Sequence, residues 1–519
     1  MRKFSFLFFA LIISVHSSVV FAQPLTSKQI DSIANKTLTS FDVPGIAVAI
    51  VKDGKIIHAK GYGVRSLDSK LPVDEHTLFG IASNSKAFTT AALAMLIDQK
   101  SLTWNTRVTD IIPEFKLYAP YVTENFTVRD LITHRSGLGL GAGDLMIWPD
   151  SNLYTLKDLI YNLRFLKQVS DFRTKYDYDN LLFVVAGEIV HRVSGMKWED
   201  FIEKNIMATI GMNESAASYS RLKNKSNVID AHAPVDGKVQ VIHRDWDEKA
   251  NAAGGIYSNL TDMSKWAIMQ MDNGKYDNGK QLFTSAVHNE MWTPQTIIPV
   301  SSPNMYNTHF KSYGLGWFLS DEMGYKIATH TGGLAGIVTQ VTLIPEMNLG
   351  IIVFTNQQSG AAFTSITNSI KDAYFGIKGK NRIQENVDRV GVMEKNARQV
   401  TDEVSKQISL VQNSKTGKPD YDSFTGKYND PWFGDIVISL KDNKLWLQSQ
   451  KSPRLKGEMF YYKGNTFMVR WDDRGMDADC FVLFGMDFNG KPESIKMEPI
   501  SPLTDFSFDF QDLNFTKAK

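Results

Sequence analysis

With a single cysteine, Cys480, in its 519 residues, the chain can form no disulfide within itself, whatever its compartment. Stability must come from packed cores, and a chain of this length calls for two or three of them. Neither charge sign predominates: 57 Lys and Arg stand against 56 Asp and Glu, which leaves no basic excess for nucleic acid. There is no Gly-x-Ser-x-Gly nucleophile elbow, no Walker-type phosphate loop, no His-Glu-x-x-His and no Cys-x-x-Cys, and the ten histidines are scattered. An α/β-hydrolase, a nucleotide phosphatase and a zinc enzyme are therefore unsupported, and no metal or cofactor is expected. The hydrophobic fraction of 43% and charged fraction of 22% are those of ordinary globular protein.

What the chain does have is three short matches in a telling order: Ser83-Asn84-Ser85-Lys86, Tyr178-Asp179-Asn180 and His330-Thr331-Gly332. A serine hydroxyl is a weak nucleophile at neutral pH, so it needs a base within reach and donors for the oxyanion it creates. Ser83 and Lys86 open an apolar stretch, residues 87–97, free of Gly and Pro. In a helix, positions i and i+3 share a face, which sets the amine beside the hydroxyl. The first-turn amides lack intrahelical partners and favour negative charge, so Ser83's own N-H is a candidate oxyanion donor.

Each fragment also has decoys. Ser-x-x-Lys recurs at Ser194, in the turn that closes the expected 181–193 helix, and at Ser220, in a polar stretch; Tyr-x-Asn recurs at Tyr257 and at Tyr276, where Asn278-Gly279 reads as a surface turn. Tyr178 instead directly precedes an apolar helix. Lys415-Thr416-Gly417 lies in a polar run with Gly and Pro, which is linker chemistry. His330-Thr331-Gly332-Gly333 lies between strand-like segments, where an edge could supply the second oxyanion N-H. His134 and His243, each alone, read as structural residues.

On these motifs residues from about 27 to 375 resemble the serine β-lactamase and penicillin-binding-protein superfamily, in its class C β-lactamase, DD-peptidase and esterase branch. Residues 131–138 (Leu-Ile-Thr-His-Arg-Ser-Gly-Leu), 253–258 (Ala-Gly-Gly-Ile-Tyr-Ser) and 313–317 (Tyr-Gly-Leu-Gly-Trp) resemble scaffold signatures of that branch. The resemblance implies Ser83 as nucleophile, Lys86 as its proton partner and Tyr178 as the base that later activates water. It further implies Asn180 as a substrate-amide ligand, His330 and Thr331 at the substrate, and the N-H groups of Ser83 and Gly333 as oxyanion hole. Many relatives carry Lys where this chain has His330, and histidine is charged only part of the time near neutrality. A His-Thr-Gly triplet resembles certain DD-carboxypeptidases and D-aminopeptidases, so a D-stereospecific peptidase leads, ahead of esterase and β-lactamase. A non-catalytic penicillin- or peptidoglycan-binding module is the alternative of another class. Asp179 adds a charge where relatives often have a small residue.

Arg2 and Lys3 precede an apolar run, residues 4–15, and Val20-Phe21-Ala22 fits a cleavage site, so residues 1–22 read as a secretory signal peptide. Its removal takes the net charge from +1 to −1, by subtraction of Arg2 and Lys3. The expected product is exported, periplasmic or secreted, with no membrane span. Its partners are a small peptide or ester substrate, peptidoglycan-derived peptides among them.

The expected fold class is α/β: an antiparallel sheet flanked by helices, with an inserted helical region, as a β-lactamase/transpeptidase-like sandwich over 23–378. Strands are expected at 45–51 and 55–59, turning at Asp53-Gly54, and at 325–328, 337–344 and 349–355; helices at 25–38, 83–99, 127–133, 156–166, 181–193 and 262–271. A helical linker (379–415) carries a stripe of Ile383, Val387, Val390, Ala397, Val400, Val404 and Ile408. Alternating strands in 416–519 suggest a small all-β barrel. Phe424-Thr425-Gly426-Lys427-Tyr428 and the strand rhythm resemble the lipocalin-like domain appended to some relatives. That domain is expected to cap the active-site mouth or mediate oligomers, and its deletion to change selectivity without abolishing acylation of Ser83.

Overall fold

A computed structural model of the chain describes residues 24–302, 304–413 and 419–518, so the expected signal peptide and the Lys415-Thr416-Gly417 triplet lie outside the described residues. An eight-stranded antiparallel sheet carries the first unit. In chain order its strands are β1 (Gly45–Lys52), β2 (Lys55–Gly63), β3 (Thr296–Ile298), β4 (Lys311–Tyr313), β5 (Phe318–Glu322), β6 (Tyr325–Leu334), β7 (Ile337–Ile344) and β8 (Leu349–Thr355). Across the sheet they run β2-β1-β8-β7-β6-β5-β4-β3. Six helices matter below: α1 (Ser27–Ser40), α2 (Ser85–Asp98), α3 (Leu181–Ser194), α4 (Leu260–Met271), α5 (Gly360–Phe375) and α6 (Arg382–Asn413).

Neighbouring side chains of a strand point to opposite faces, and both faces here are covered. Ile46, Val48 and Ile50 of β1 join a core with Ile30 and Ala34 of α1 and Ile366 and Ile370 of α5. Ala47 and Ala49, on the other face, join the larger core that includes Met263 and Ala267 of α4 and most of α2 and α3. That is why β1 and β8 read as unbroken apolar runs. Helix α1 starts at a capping box, in which the Thr26 hydroxyl accepts from the Gln29 N-H and the Gln29 side chain accepts from the Thr26 N-H.

Helix α6 is the expected helical linker, and it is anchored at both ends. At its start Arg382, 5% exposed, donates to both carboxylate oxygens of buried Asp372 at 2.6 and 2.9 Å, while the Tyr306 hydroxyl donates to the same carboxylate at 2.9 Å. At its far end Val404 and Ile408 pack with Met468 and Ile500 of the second unit. Of the expected stripe Val400 is left exposed, while Ala397 between the two docks is buried. Arg382→Lys keeps the charge but cannot reproduce two parallel bonds. Thermal and urea unfolding should show a loss of about 1.5–3 kcal/mol; an unchanged midpoint would mean that the pair contributes nothing beyond its charge.

The second unit is a closed barrel of eight antiparallel strands, β9 (Gly426–Asp430), β10 (Gly434–Lys441), β11 (Lys444–Ser449), β12 (Lys456–Lys463), β13 (Thr466–Trp471), β14 (Cys480–Met486), β15 (Pro492–Pro499) and β16 (Asn514–Lys517). Phe424, Tyr428, Phe467 and Phe484 are buried in a ring-on-ring cluster with centroids 4.8 to 5.8 Å apart. The barrel's core is continuous with that of the first unit. The Asn162 side chain donates to the Trp432 carbonyl at 2.8 Å, the Leu153 N-H donates to the Lys451 carbonyl at 2.7 Å, and Arg454 reaches Asp150 at 2.5 Å and Asp245 at 3.0 Å.

Candidate active site

Ser83 lies just before α2, in a single 3-10 turn over Ala82–Asn84. The chain reaches it through Ala82, whose φ of 50° is a left-handed conformation that a residue with a Cβ adopts at a cost of about 1–2 kcal/mol. Neighbouring bonds hold that turn in place. The Asn84 side chain donates to the Ile81 carbonyl at 3.1 Å and to the Thr339 hydroxyl of β7 at 2.9 Å, and the Ile81 N-H donates to the Ile256 carbonyl at 2.8 Å. Among residues 78–88 Ser83 alone is not buried.

One helical turn on, Lys86 is wholly buried, its Nζ 3.1 Å from Ser83 Oγ, 2.7 Å from Asn180 Oδ1 and 2.8 Å from the Ala253 carbonyl oxygen. Burial lowers its pKa to about 7, although Asp144 and Asp179 pull the other way. The last two oxygens can only accept. A neutral amine has two N-H groups and one lone pair, so spending the N-H groups on Asn180 and Ala253 aims the lone pair at the Ser83 hydroxyl.

Tyr178 and Asn180 precede α3 on a loop pinned to the 130–144 segment. The Asp177 N-H donates to the His134 carbonyl at 3.0 Å, the Gly141 N-H to the Tyr178 carbonyl at 2.8 Å, and the Asp179 N-H to His134 Nδ1 at 3.1 Å. Buried Asp130 accepts from Arg173 at 2.6 and 2.9 Å, which ties the loop to that segment, and from Arg135 of its own segment at 3.1 Å. The His134 ring lies 4.1 Å from that of Tyr178, and burial holds it uncharged, so it is structural as expected. His243 is at the surface, paired with Asp150. Burial drives the Tyr178 phenol well above its ordinary pKa, with a hydrogen bond to Ser83 working against this, so the phenol keeps its proton. Asn180 is fixed on both sides, accepting from Lys86 and donating from Nδ2 to Asp144 Oδ2 at 2.8 Å. Its remaining N-H is the one free to meet a substrate amide.

Strand β6 pairs with β5 only as far as Thr329, while residues 330–334 pair with β7 alone, leaving an edge beside Ser83. Thr331 and Gly333 are exposed along it. Gly332 is pressed against the nucleophile turn, where a Cβ would come within 2.3 Å of the Ile81 carbonyl oxygen. His330 lines the same pocket, with both ring nitrogens engaged inside the protein. It is buried; its Nδ1 lies 2.6 Å from the Thr331 carbonyl oxygen, and its Nε2 lies 2.9 Å from the Tyr313 hydroxyl. The carbonyl requires a proton on Nδ1, so Tyr313 donates to Nε2. Burial brings the pKa down to about 3, and the part-time charge expected of this ring is absent at neutrality.

These groups line a pocket of about 500 Å³ whose outer wall comes from the barrel: Gly475, Met476 and Asp477 from one loop and residues 503, 505, 506, 507 and 508 from another. Phe506 meets the Tyr178 ring edge to face at 5.8 Å. Asp245, Asp477 and Asp505 are in the lining, which among the described residues contains no lysine or arginine.

A family model described as Beta-lactamase matches residues 30–374, well over half of the chain. The chain belongs to the beta-lactamase family. A second model, a domain of unknown function (DUF3471), matches residues 412–517. The chain is 26% identical over 489 residues to the unguisins hydrolase ungD' of Aspergillus campestris, covering 89% of this chain and 88% of that protein. It is 24% identical over 340 residues to protein flp of Staphylococcus aureus, covering 64% of each. In fold it is similar to the octameric penicillin-binding protein homologue from Pyrococcus abyssi, with a TM-score of 0.59, 20% identity, and 95% of this chain and 100% of that one covered.

The structure thus brings Ser83, Lys86, Tyr178, Asn180, His330, Thr331 and Gly333 to one beta-lactamase-family pocket. Sequence reasoning missed Asp144 and the barrel residues. Asp144 had a signal: a lone acid entering an apolar run behind Gly141 and Gly143, both with positive φ. In residues 506–510, Phe-Ser-Phe-Asp-Phe, an acid stands among aromatics, again a mark of a buried and partnered carboxyl.

Proposed function

We propose that this chain is a serine hydrolase that forms an acyl-enzyme on Ser83, and that its substrates are D-stereospecific peptides or amides bearing a free amino group. The observation that carries the chemistry is the lysine at 3.1 Å from Ser83, depressed to about 7 and oriented by two acceptors. Neutral Lys86 takes the Ser83 proton as Oγ attacks the carbonyl carbon. The oxyanion is received at the N-terminal turn of α2 and the edge of β6, with the N-H groups of Ser83 and Gly333 as donors. The lysine then returns the proton to the leaving amine, through the phenol of Tyr178 or directly. In deacylation Tyr178, held as a phenol, passes a proton from water to Lys86, so the lysine is the base of both half-reactions. This shifts onto Lys86 the role that resemblance assigns to Tyr178.

The pocket's charge supports the substrate class. A substrate carboxylate would meet neutral His330 and the acids Asp477 and Asp505, whereas an ammonium would be attracted; Asp245 is already paired with Arg454. That favours an aminopeptidase type over a DD-carboxypeptidase or an efficient β-lactamase, with esterase second. The hydrolase named for the relative ungD' agrees with hydrolytic chemistry, and export through the N-terminal segment remains part of the proposal.

The test is a substrate panel with the chain lacking residues 1–22: a D-alanine p-nitroanilide, its N-acetyl derivative, a D-Ala-D-Ala peptide, p-nitrophenyl acetate and nitrocefin, with intact mass after each. The free-amine anilide should exceed the acetylated one in kcat/KM by about 10-fold or more, the scale of one ion pair in a shielded site. A preference for the D-Ala-D-Ala peptide or nitrocefin would overturn the amine reading. A covalent adduct mapped to any residue but Ser83 would overturn the mechanism.

A further inference from the structure

The barrel's last loop does more than wall the pocket. Asp509, entirely buried, accepts from the Gly143 N-H at 2.6 Å through one oxygen and from the Leu145 N-H at 3.0 Å through the other. These two amides flank Asp144. Asp144 in turn accepts from Asn180 Nδ2 at 2.8 Å, and Asn180 presents Oδ1 to Lys86 at 2.7 Å. The direction of this last bond matters. Were the Asn180 amide to flip, its NH₂ would face the lysine and Lys86 would lose an acceptor that aims its lone pair at Ser83. Asp144 prevents the flip, and Asp509 fixes the backbone on either side of Asp144. Gly143 lies in the left-handed region at φ 82°, with the Leu181 and Leu166 side chains against it, so that a Cβ there would lie 2.6 Å and 2.9 Å from them.

We infer that Asp509 is a positioning residue for catalysis, and that the C-terminal barrel, by supplying it, sets the orientation of Asn180 and so the proton affinity of Lys86. This rests on the reading of Ser83 and Lys86 as the reacting pair. The charged and titratable groups facing Lys86 are Asp144 and Asp179, which favour its charged form, the rings of His134 and His330, both held neutral, and the Tyr178 phenol. Asp509 itself faces Asp144 and Asp512, and burial raises its pKa first, these two neighbours adding to it. Asparagine at 509 can accept from only one of the two amides, because its NH₂ would confront the other.

The experiment compares Asp509→Asn and Asp509→Ala with wild type in the full chain, on whichever panel substrate turns over, over pH 5 to 10. Lys86 is titrated in parallel by NMR of ¹³Cε-lysine protein, assigned with Lys86→Met. Expected are a kcat lower by about 10-fold for Asn and about 100-fold for Ala, the scale of an ångström-level misplacement, with KM changed less. The rising limb of the pH profile and the Lys86 titration should move together to lower pH, because an Asn180 NH₂ turned toward the amine in place of its oxygen disfavours the charged form. A purely structural role would lower the unfolding midpoint and the active fraction but leave both titrations in place, and that result overturns the inference. So does an unchanged kcat. If wild type neither turns over nor acylates, the proposed function fails, yet the Lys86 titration still decides: a shift in Asp509→Ala upholds the positioning role, and no shift ends it. Should Asp509→Ala not fold, Asp509→Asn carries the same readouts.

Discussion

Lys86→Met is expected to lower kcat/KM by about 10⁴-fold, close to the loss from Ser83→Ala, because the members of a nucleophile-base unit fail together when either is removed. Methionine preserves the length and apolar body of the side chain, so Asn180 Oδ1 and the Ala253 carbonyl lose a donor without a cavity opening. The sign of the pH dependence follows from burial. Lys86 is depressed from 10.5 to about 7, so the neutral, reactive amine is the minority form below that value and the majority form above it. The wild-type kcat/KM should therefore rise through about pH 7 and flatten above it. Tyr178 contributes no rising limb in this range, since its phenol stays protonated. A limb near 10 would place the base on a lysine of ordinary affinity or on the tyrosine, against the arrangement argued here.

Much of this was legible in the sequence, for reasons that differ by element. Strands β1, β7 and β8 were readable because long apolar runs bounded by turn residues allow few other structures, and α3 because residues 181–190 form an apolar run long enough for a buried helix. Strands β3, β4 and β5 escaped because each is three to five residues long and they lie among glycines and polar loops; pairing of β5 with β6, β4 with β5 and β3 with β4 makes them strands. Helix α5 was missed although it has 16 residues, because its buried positions include Ser365, Thr367, Asn368, Lys371 and Asp372, whose polar groups are satisfied by tertiary partners. The site divides in the same way. Ser83, Lys86, Tyr178 and Asn180 are near in sequence to their own elements and could be read from motifs. Asp509 reaches the amides on either side of Asp144 across 366 and 364 residues of chain, and no local pattern encodes that pairing. The expectation that the barrel caps the site's mouth understates its place, since it also shares a core with the first unit. Deleting it would expose that core.

Gly332→Ala and Gly333→Ala should differ sharply although they are adjacent. At 332 a Cβ would lie 2.3 Å from the Ile81 carbonyl oxygen, 2.6 Å from Thr339 Oγ1 and 2.8 Å from Ala82 Cβ, two of them on the strained turn that carries Ser83. None of these atoms is the far end of a flexible side chain. Either β6 withdraws from the turn or the turn shifts, and both separate the Ser83 N-H from the Gly333 N-H. The loss of one properly aimed oxyanion donor costs about 10²–10³ in kcat, and Gly332→Ala should fall in that range with KM little changed. At 333 nothing lies within 4 Å of a Cβ and the backbone is not left-handed, so the protein should fold normally. Its added methyl points into open pocket space, where it meets the substrate first; the expected signature is a raised KM with kcat within about 10-fold of wild type. Circular dichroism and unfolding midpoints separate this from misfolding, because Gly332→Ala should retain the sheet while losing turnover. Equal, small effects at both positions would mean that the edge of β6 takes no part in holding the oxyanion.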